Sequence, residues 1–317
     1  MPACQRIAVA ANTRILKFIM NTDVTPLGQH LAEPTYVEDF FTLAQNWHDM
    51  RLTLTLANAA PAAQIDFGAH IRRSFLGALG PGASPAARSN RPCNWDPPCT
   101  LDVFNREQWR TAKGGMPKPF SLHIHPDGRN LCIELTVFGM ACDWFHAAAD
   151  AMTIGLLTIL PWTKATHGRI TGPPVILDRQ VSLSAGLETP AQSKRMILDF
   201  PNGLDVSGRE GASPVALVSA AVKRVNMVSR WQGLVVPDDI AAKLIADARR
   251  SKFDGCLDIF ELITPNRFEQ KRQNKIGKGA VSVSDFPKDL IAAMSIAERC
   301  QMGRGTAWGL GRFVLSL

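Results

Sequence analysis

Polar and apolar residues alternate over Arg51-Leu-Thr-Leu-Thr-Leu56, the period of a half-buried strand. The period then lengthens. Phe67, Ile71, Phe75 and Leu79 fall on one side of a helix, with His70, Arg73, Ser74 and Gly77 on the other. Asp66 is placed to cap that helix, and Gly80-Pro-Gly82 to stop it. From Pro81 to Pro119 the chain is rich in Pro, Gly, Ser and Arg and reads as one long loop, a length that usually means function or disorder. Two apolar-rich runs, Phe120–His125 and Leu131–Phe138, predict a strand pair, with Asp127-Gly128 as a tight turn between them. A helix is expected from about Asp143 to Ile159, limited by Pro161, and then a strand that includes Val175–Leu177.

The order strand–helix–strand–strand–helix–strand is that of a ferredoxin-like (RRM-like) unit, and the second half repeats it. A strand over Arg195–Phe200 is ended by Pro201-Asn-Gly203. Ser213-Pro214 opens a helix to about Trp231, with proline at the tolerated first turn. An inserted helix spans Asp238–Arg250, followed by strands at Cys256–Ile263 and Ala280–Val283, a helix over Phe286–Cys300 and a last strand over Arg312–Leu317. The expected fold class is therefore α+β: two tandem ferredoxin-like domains, residues 50–185 and 193–317, with helical and loop insertions and a linker near Ser184–Gln192. The repetition is architectural, without clear residue-level self-similarity. Residues 1–49 read as an extension with short helices at Gln5–Met20 and Tyr36–His48, and Met50 is a conceivable alternative start that would make them dispensable.

Composition narrows the function. The chain has 317 residues, 46% hydrophobic and 20% charged, enough to bury a core and too apolar for wholesale disorder. Lys+Arg exceeds Asp+Glu by 35 to 28, a net charge of +7, which favours a polyanionic partner without requiring one. Tyr36 is the sole tyrosine, so extensive tyrosine stacking on bases is excluded. The first twenty residues lack an uninterrupted apolar core, no stretch suits a membrane span, and seven scattered cysteines suit a reducing cytoplasm.

The segment richest in chemistry is Gly303-Arg-Gly-Thr-Ala-Trp-Gly-Leu-Gly-Arg312. Gly303, Gly305, Gly309 and Gly311 open backbone conformations closed to other residues and can expose amides to an anion, with Arg304 and Arg312 as brackets. The competing reading is a tight connection packed on the sheet. The order helix–glycines–strand is the reverse of a dinucleotide fingerprint. Arg267, Lys271, Arg272, Lys275 and Lys278 form the densest basic run, expected as a projecting hairpin loop that can track a phosphate backbone. Lys223, Arg224 and Arg230 form a basic set on one helix, and Arg88, Arg91 and Lys113 charge the long loop. His123 and His125 share one strand face, toward RNA or solvent. Cys93 and Cys99 supply only two potential ligands, too few for a structural zinc site, and no paired acidic cluster suggests a two-metal nuclease, so no metal or other cofactor is expected.

The C-terminal glycine-rich segment, set between a helix and a last strand, resembles the signature of CRISPR repeat-processing endoribonucleases of the RAMP superfamily. Other positions agree in order: Gly68-x3-Arg72-x4-Gly77, Cys93-x5-Cys99 with Leu101-Asp-Val-Phe104, Pro117-Lys-Pro-Phe120, Leu135-Thr-Val-Phe-Gly139 and Met196-Ile-Leu-Asp-Phe-Pro201. The similarity runs over roughly residues 51–317, and the variant of type IV systems is the nearest in general character. It implies two ferredoxin-like domains that bind the repeat hairpin of CRISPR precursor RNA, metal-independent cleavage on the hairpin's 3′ side, and retention of the mature crRNA for an effector complex with other subunits. It also makes His70 the proton-transfer candidate, with Arg72 and Arg73 as electrostatic candidates. Two alternatives stay open: a non-catalytic RAMP subunit that binds guide RNA, and an RNA-binding or RNA-modifying protein with no CRISPR link.

Overall fold

A computed structural model describes residues 26–62, 67–108, 110–111, 114–188, 193–206, 213–265, 271–303, 306–308 and 310–317. The first sheet contains β1 (His48–Leu56), β2 (Phe120–Asp127), β3 (Asn130–Phe138) and β4 (Ile176–Ala185). Their spatial order is β2–β3–β1–β4, with every neighbour antiparallel. Period-two patterning sorts the faces: Leu52, Leu54 and Leu56 are buried, while Arg51, Thr53 and Thr55 lie between them on the other face. The β2–β3 turn closes at Gly128, whose φ is +59°.

The second sheet is built from β5 (Arg195–Asp205), β6 (Lys252–Gly255), β7 (Asp258–Pro265), β8 (Lys271–Ser284) and β9 (Val314–Ser316). Its order is β6–β8–β5–β9, with β7 pairing the earlier part of β8. In the first sheet the first strand lies between the third and the fourth, and the second is at the edge; the second sheet repeats this when β6 and β7, which both pair with β8, are counted as one interrupted strand. That is the ferredoxin-like order expected from sequence, found twice.

Nine of the helices among the described residues are labelled in chain order: α1 (Pro26–Ala32), α2 (Phe40–Gln45), α3 (Phe67–Ala78), α4 (Pro85–Arg88), α5 (Thr100–Asn105), α6 (Phe145–Ile154), α7 (Pro214–Val228), α8 (Asp238–Ala248) and α9 (Lys288–Cys300). α6 continues as a π-turn, Gly155–Ile159. Phe75, Phe104 and Phe120 meet with ring centroids 5.6–5.8 Å apart, joining α3, α5 and β2 in one aromatic cluster.

Several boundaries depart from the sequence expectation. The loop from Pro81 to Pro119 contains α4 and α5, and Cys93, Cys99, Val103 and Phe104 within it are buried. Ser84 caps α4 by accepting the Ala87 amide at 3.1 Å, with Pro85 at the first turn. The basic run is not a projecting loop from residue 271 onward, because β8 begins there and is held by β7 and β5. The strand expected at Cys256–Ile263 is β7, which begins at Asp258, and a separate short strand, β6, precedes it and ends at Gly255 with φ +96°. β5 runs through Pro201 to Asp205, with Gly203 at φ +81° taking the bend. Residues 26–47 pack into the body: Leu31, Phe40, Leu43 and Trp47 are fully buried, and α2 rests on α9. The helix expected over Tyr36–His48 is only α2, started by Asp39, whose carboxylate accepts the Thr42 amide at 2.7 Å. The helix expected at Gln5–Met20 and the Asp66 cap lie outside the described residues.

Candidate nucleic-acid interface

The glycine-rich segment is pinned at both ends. The Met302 amide donates to the Gly311 carbonyl at 2.9 Å, and the Gly311 amide donates to the Gly203 carbonyl at 3.0 Å. Both terminal glycines sit in the left-handed region, Gly303 at φ +76° and Gly311 at φ +78°. A Cβ on Gly311 would lie 1.8 Å from the Met302 carbonyl oxygen, and one on Gly303 would lie 2.7 Å from Leu204 Cδ1. At these two positions glycine therefore serves close packing. Arg304, Gly305 and Gly309 lie outside the described residues. Between the pinned ends, the short turn Thr306–Trp308 packs against both α3 and β2. The structure thus brings together two regions far apart in sequence, the first helix and the C-terminal glycine-rich segment.

The two flanks of α3 differ. Ser74 and Gly77 share a flank with His70, and this flank faces the π-turn. A Cβ on Gly155 would lie 2.8 Å from the Ser74 backbone, and one on Gly77 would lie 3.8 Å from Ile159. Ser74 is buried and His70 half-buried, so the face read from sequence as freely polar is partly covered. The cause is Gly155, which lacks the side chain that would hold the helices apart. Arg73 is exposed.

Arg72 projects from the other flank, toward Lys118, two residues before β2. Lys118 is half-buried and its ammonium donates to the Asn105 carbonyl at the end of α5. Burial, reinforced by the Arg72 guanidinium, lowers its pKa to about 8. An amine with that pKa can gain or lose a proton near neutral pH, which an ordinary lysine does not do. Sequence reasoning missed Lys118. Its only signal was a lysine set between Pro117 and Pro119, where a fixed backbone limits escape to solvent.

Three arginines expected to face phosphate are instead engaged within the protein. Arg224 reaches from α7 to the Cys300 carbonyl at 3.3 and 3.4 Å and to Thr306 Oγ1 at 3.0 Å, bracing the glycine-rich turn at the end of α9. Arg230 donates to the Leu31 carbonyl at 3.1 Å and more weakly to that of Ala32, closing the C-terminal end of α1. Arg312 pairs with Glu134 across the two domains. Lys223, Arg88, Arg91, Lys275 and Lys278 are exposed. Lys113 and Arg267 lie outside the described residues, as do the side chains of Lys271 and Arg272.

Between the domains, polar side chains cover the outer edge of β2. Gln301 Nε2 donates to the Leu122 carbonyl at 2.9 Å, and Asn202 Nδ2 donates to that of Ile124 at 2.7 Å. His123 and His125 face this seam rather than solvent. Their rings stack at 4.6 Å, His123 is buried with Asn202 Nδ2 3.2 Å from its Nδ1, and burial drives its pKa down to about 2. A cavity of about 210 Å³ opens at Glu134, the cross-strand partner of His123, and is lined also by Arg51, Arg299, Arg312, Glu298, Thr136 and Gln301. Among the described residues no helix is long and apolar enough to cross a membrane.

A scan of family models and a search of curated proteins found no match. Solved structures do overlay. A Cas6 product complex aligns over 85% of this chain and 100% of its own at 15% identity, TM-score 0.49. Thermus thermophilus Cas6 aligns over 85% and 99% at 11% identity, TM-score 0.49. Cas6b aligns over 84% and 99% at 11% identity, TM-score 0.44.

Proposed function

We propose that this chain is a CRISPR repeat-processing endoribonuclease of the RAMP superfamily. It binds the repeat hairpin of precursor RNA, cuts on its 3′ side without metal and keeps the mature crRNA for an effector complex in the cytoplasm. The observation that carries this reading is the packing of the glycine-rich turn against α3, which carries Arg72, and against β2, which follows Lys118, on two tandem ferredoxin-like units.

The chemistry needs no protein nucleophile. The ribose 2′-oxygen attacks the adjacent phosphorus, its proton leaves, and the bond from phosphorus to the 5′-oxygen breaks, giving a 2′,3′-cyclic phosphate and a 5′-hydroxyl. The protein must align the three atoms, move the protons and stabilise the developing negative charge. Arg72 supplies fixed positive charge, and Lys118 exchanges a proton at Nζ. Arg73 and the exposed Lys223, Arg88, Arg91, Lys275 and Lys278 hold RNA phosphates. His70, on the opposite flank of α3, is the rival proton carrier.

Purified protein incubated with its own repeat RNA in EDTA should yield one cut below the hairpin, with a cyclic phosphate on the upstream product. Mixed co-purifying RNA without repeat sequence would refute the assignment. Tight binding without cleavage would favour the second reading, a non-catalytic RNA-binding subunit. That reading draws on the half-covered position of His70.

A further inference from the structure

On the face of the first sheet turned to the domain seam, β2 and β3 set four side chains in a square: His123 opposite Glu134, and His125 opposite Cys132. One ligand atom from each of His125, Cys132 and Glu134 lies within 4.8 Å of the others. His125 Nδ1 is buried and makes no hydrogen bond among the described residues. Cys132 is buried and Glu134 largely so.

We infer that His125, Cys132 and Glu134 form a binding site for a divalent metal of the zinc class. An imidazole nitrogen, a thiolate and a carboxylate are the donor types such an ion takes, whereas magnesium and calcium prefer oxygen alone. Thiolate and carboxylate together balance the ion's two charges. A ligating imidazole nitrogen must be unprotonated, and the buried His125 Nδ1 has no hydrogen-bond partner among the described residues to compete with a metal. Arg312 holds Glu134 Oε2, an outer partner of the kind that orients ligating carboxylates, and Oε1 is left for the metal. His123 is held by Asn202, so water takes the fourth position.

Metal entry breaks the S–H bond of Cys132, forms the metal–sulfur bond and releases the proton to solvent. Glu134, Asp127, Arg312 and Arg51 are the charged groups around that thiol, and binding strengthens as pH rises. The site lies apart from the Arg72–Lys118 flank and does not depend on the RNA reading.

The test uses the full chain, stripped with a chelator and titrated with cobalt(II). One equivalent should give a near-ultraviolet thiolate-to-cobalt band that zinc bleaches, and zinc should raise the thermal midpoint. Cys132→Ser should abolish the band. His125→Gln should weaken binding by more than the roughly 10–100-fold lost with an outer partner. No band at one equivalent overturns the inference, as does an unchanged band in folded Cys132→Ser, since six other cysteines are present. If Cys132→Ser fails to fold, Glu134→Gln takes its place: full-strength cobalt binding there has the same consequence.

Discussion

Replacing Lys118 with methionine should make the protein more stable and less active at once. A fall in pKa from 10.5 to about 8 means that folding disfavours the ammonium. At about 1.4 kcal/mol per unit, the cost at neutral pH is about 3 kcal/mol. Methionine keeps the buried stem and removes the charge, but it also loses the hydrogen bond to the Asn105 carbonyl, worth about 1.5–3 kcal/mol for a charged donor. The net change is a gain of up to about 1–2 kcal/mol at pH 7. The sign of the pH dependence is fixed. Between pH 8 and 10.5 the unfolded chain holds more protons on this lysine than the folded one, so wild-type stability rises with pH across that window and levels off above it. The Lys118→Met protein lacks this rise. Urea titrations of both proteins from pH 7 to 11, with single-turnover cleavage of repeat RNA at each pH, measure both halves. If Lys118 removes the 2′-hydroxyl proton, wild-type cleavage climbs up to about pH 8 and is flat beyond. Parallel stability curves for the two proteins would refute the argument about burial. Unimpaired cleavage by Lys118→Met would refute the proton-transfer role and shift attention to His70→Ala.

Other outcomes follow from the packing. Gly155→Ala places a methyl 2.8 Å from the Ser74 backbone and should cost about 1–3 kcal/mol in denaturant unfolding by forcing α3 from the π-turn. A chain begun at Met50 loses Leu31, Phe40, Leu43 and Trp47 from the core and cuts into β1. At about 3–5 kcal/mol for each large aromatic, it should show no cooperative thermal transition. RNA affinity should fall with salt at about 0.7 log units per decade for each single-strand phosphate contact, so a slope near −4 is expected for about six contacts. A flat response in a filter-binding series would exclude the electrostatic groove.

The structure gives one of the ordered motifs, Leu135-Thr-Val-Phe-Gly139, a physical reason. Gly139, at φ +56°, lies where a Cβ would be 1.9 Å from the Trp231 carbonyl oxygen, so the end of β3 touches the second half of the chain through a glycine. Leu135-Thr-Val-Phe-Gly139 therefore marks a domain contact, a role no single strand pattern would reveal.

The sequence alone determined the main strands and helices and their order, because periodicity acts over a few residues. Leu52, Leu54 and Leu56 require a strand whatever surrounds them, and Phe67, Ile71 and Phe75 require a helix with a buried side. The same local rules yielded the twofold βαββαβ arrangement. Only tertiary structure decided which side chains remain available for chemistry, because that depends on contacts between residues far apart in the chain. Arg224 looked like a phosphate ligand until the Cys300 carbonyl was found 76 positions away. By sequence His123 and His125 face RNA or solvent, whereas in the fold the second domain closes over their strand. Lys118 looked ordinary until α3 and α5 surrounded it. A charged side chain's neighbours and its access to water are products of folding, and no window along the sequence contains them.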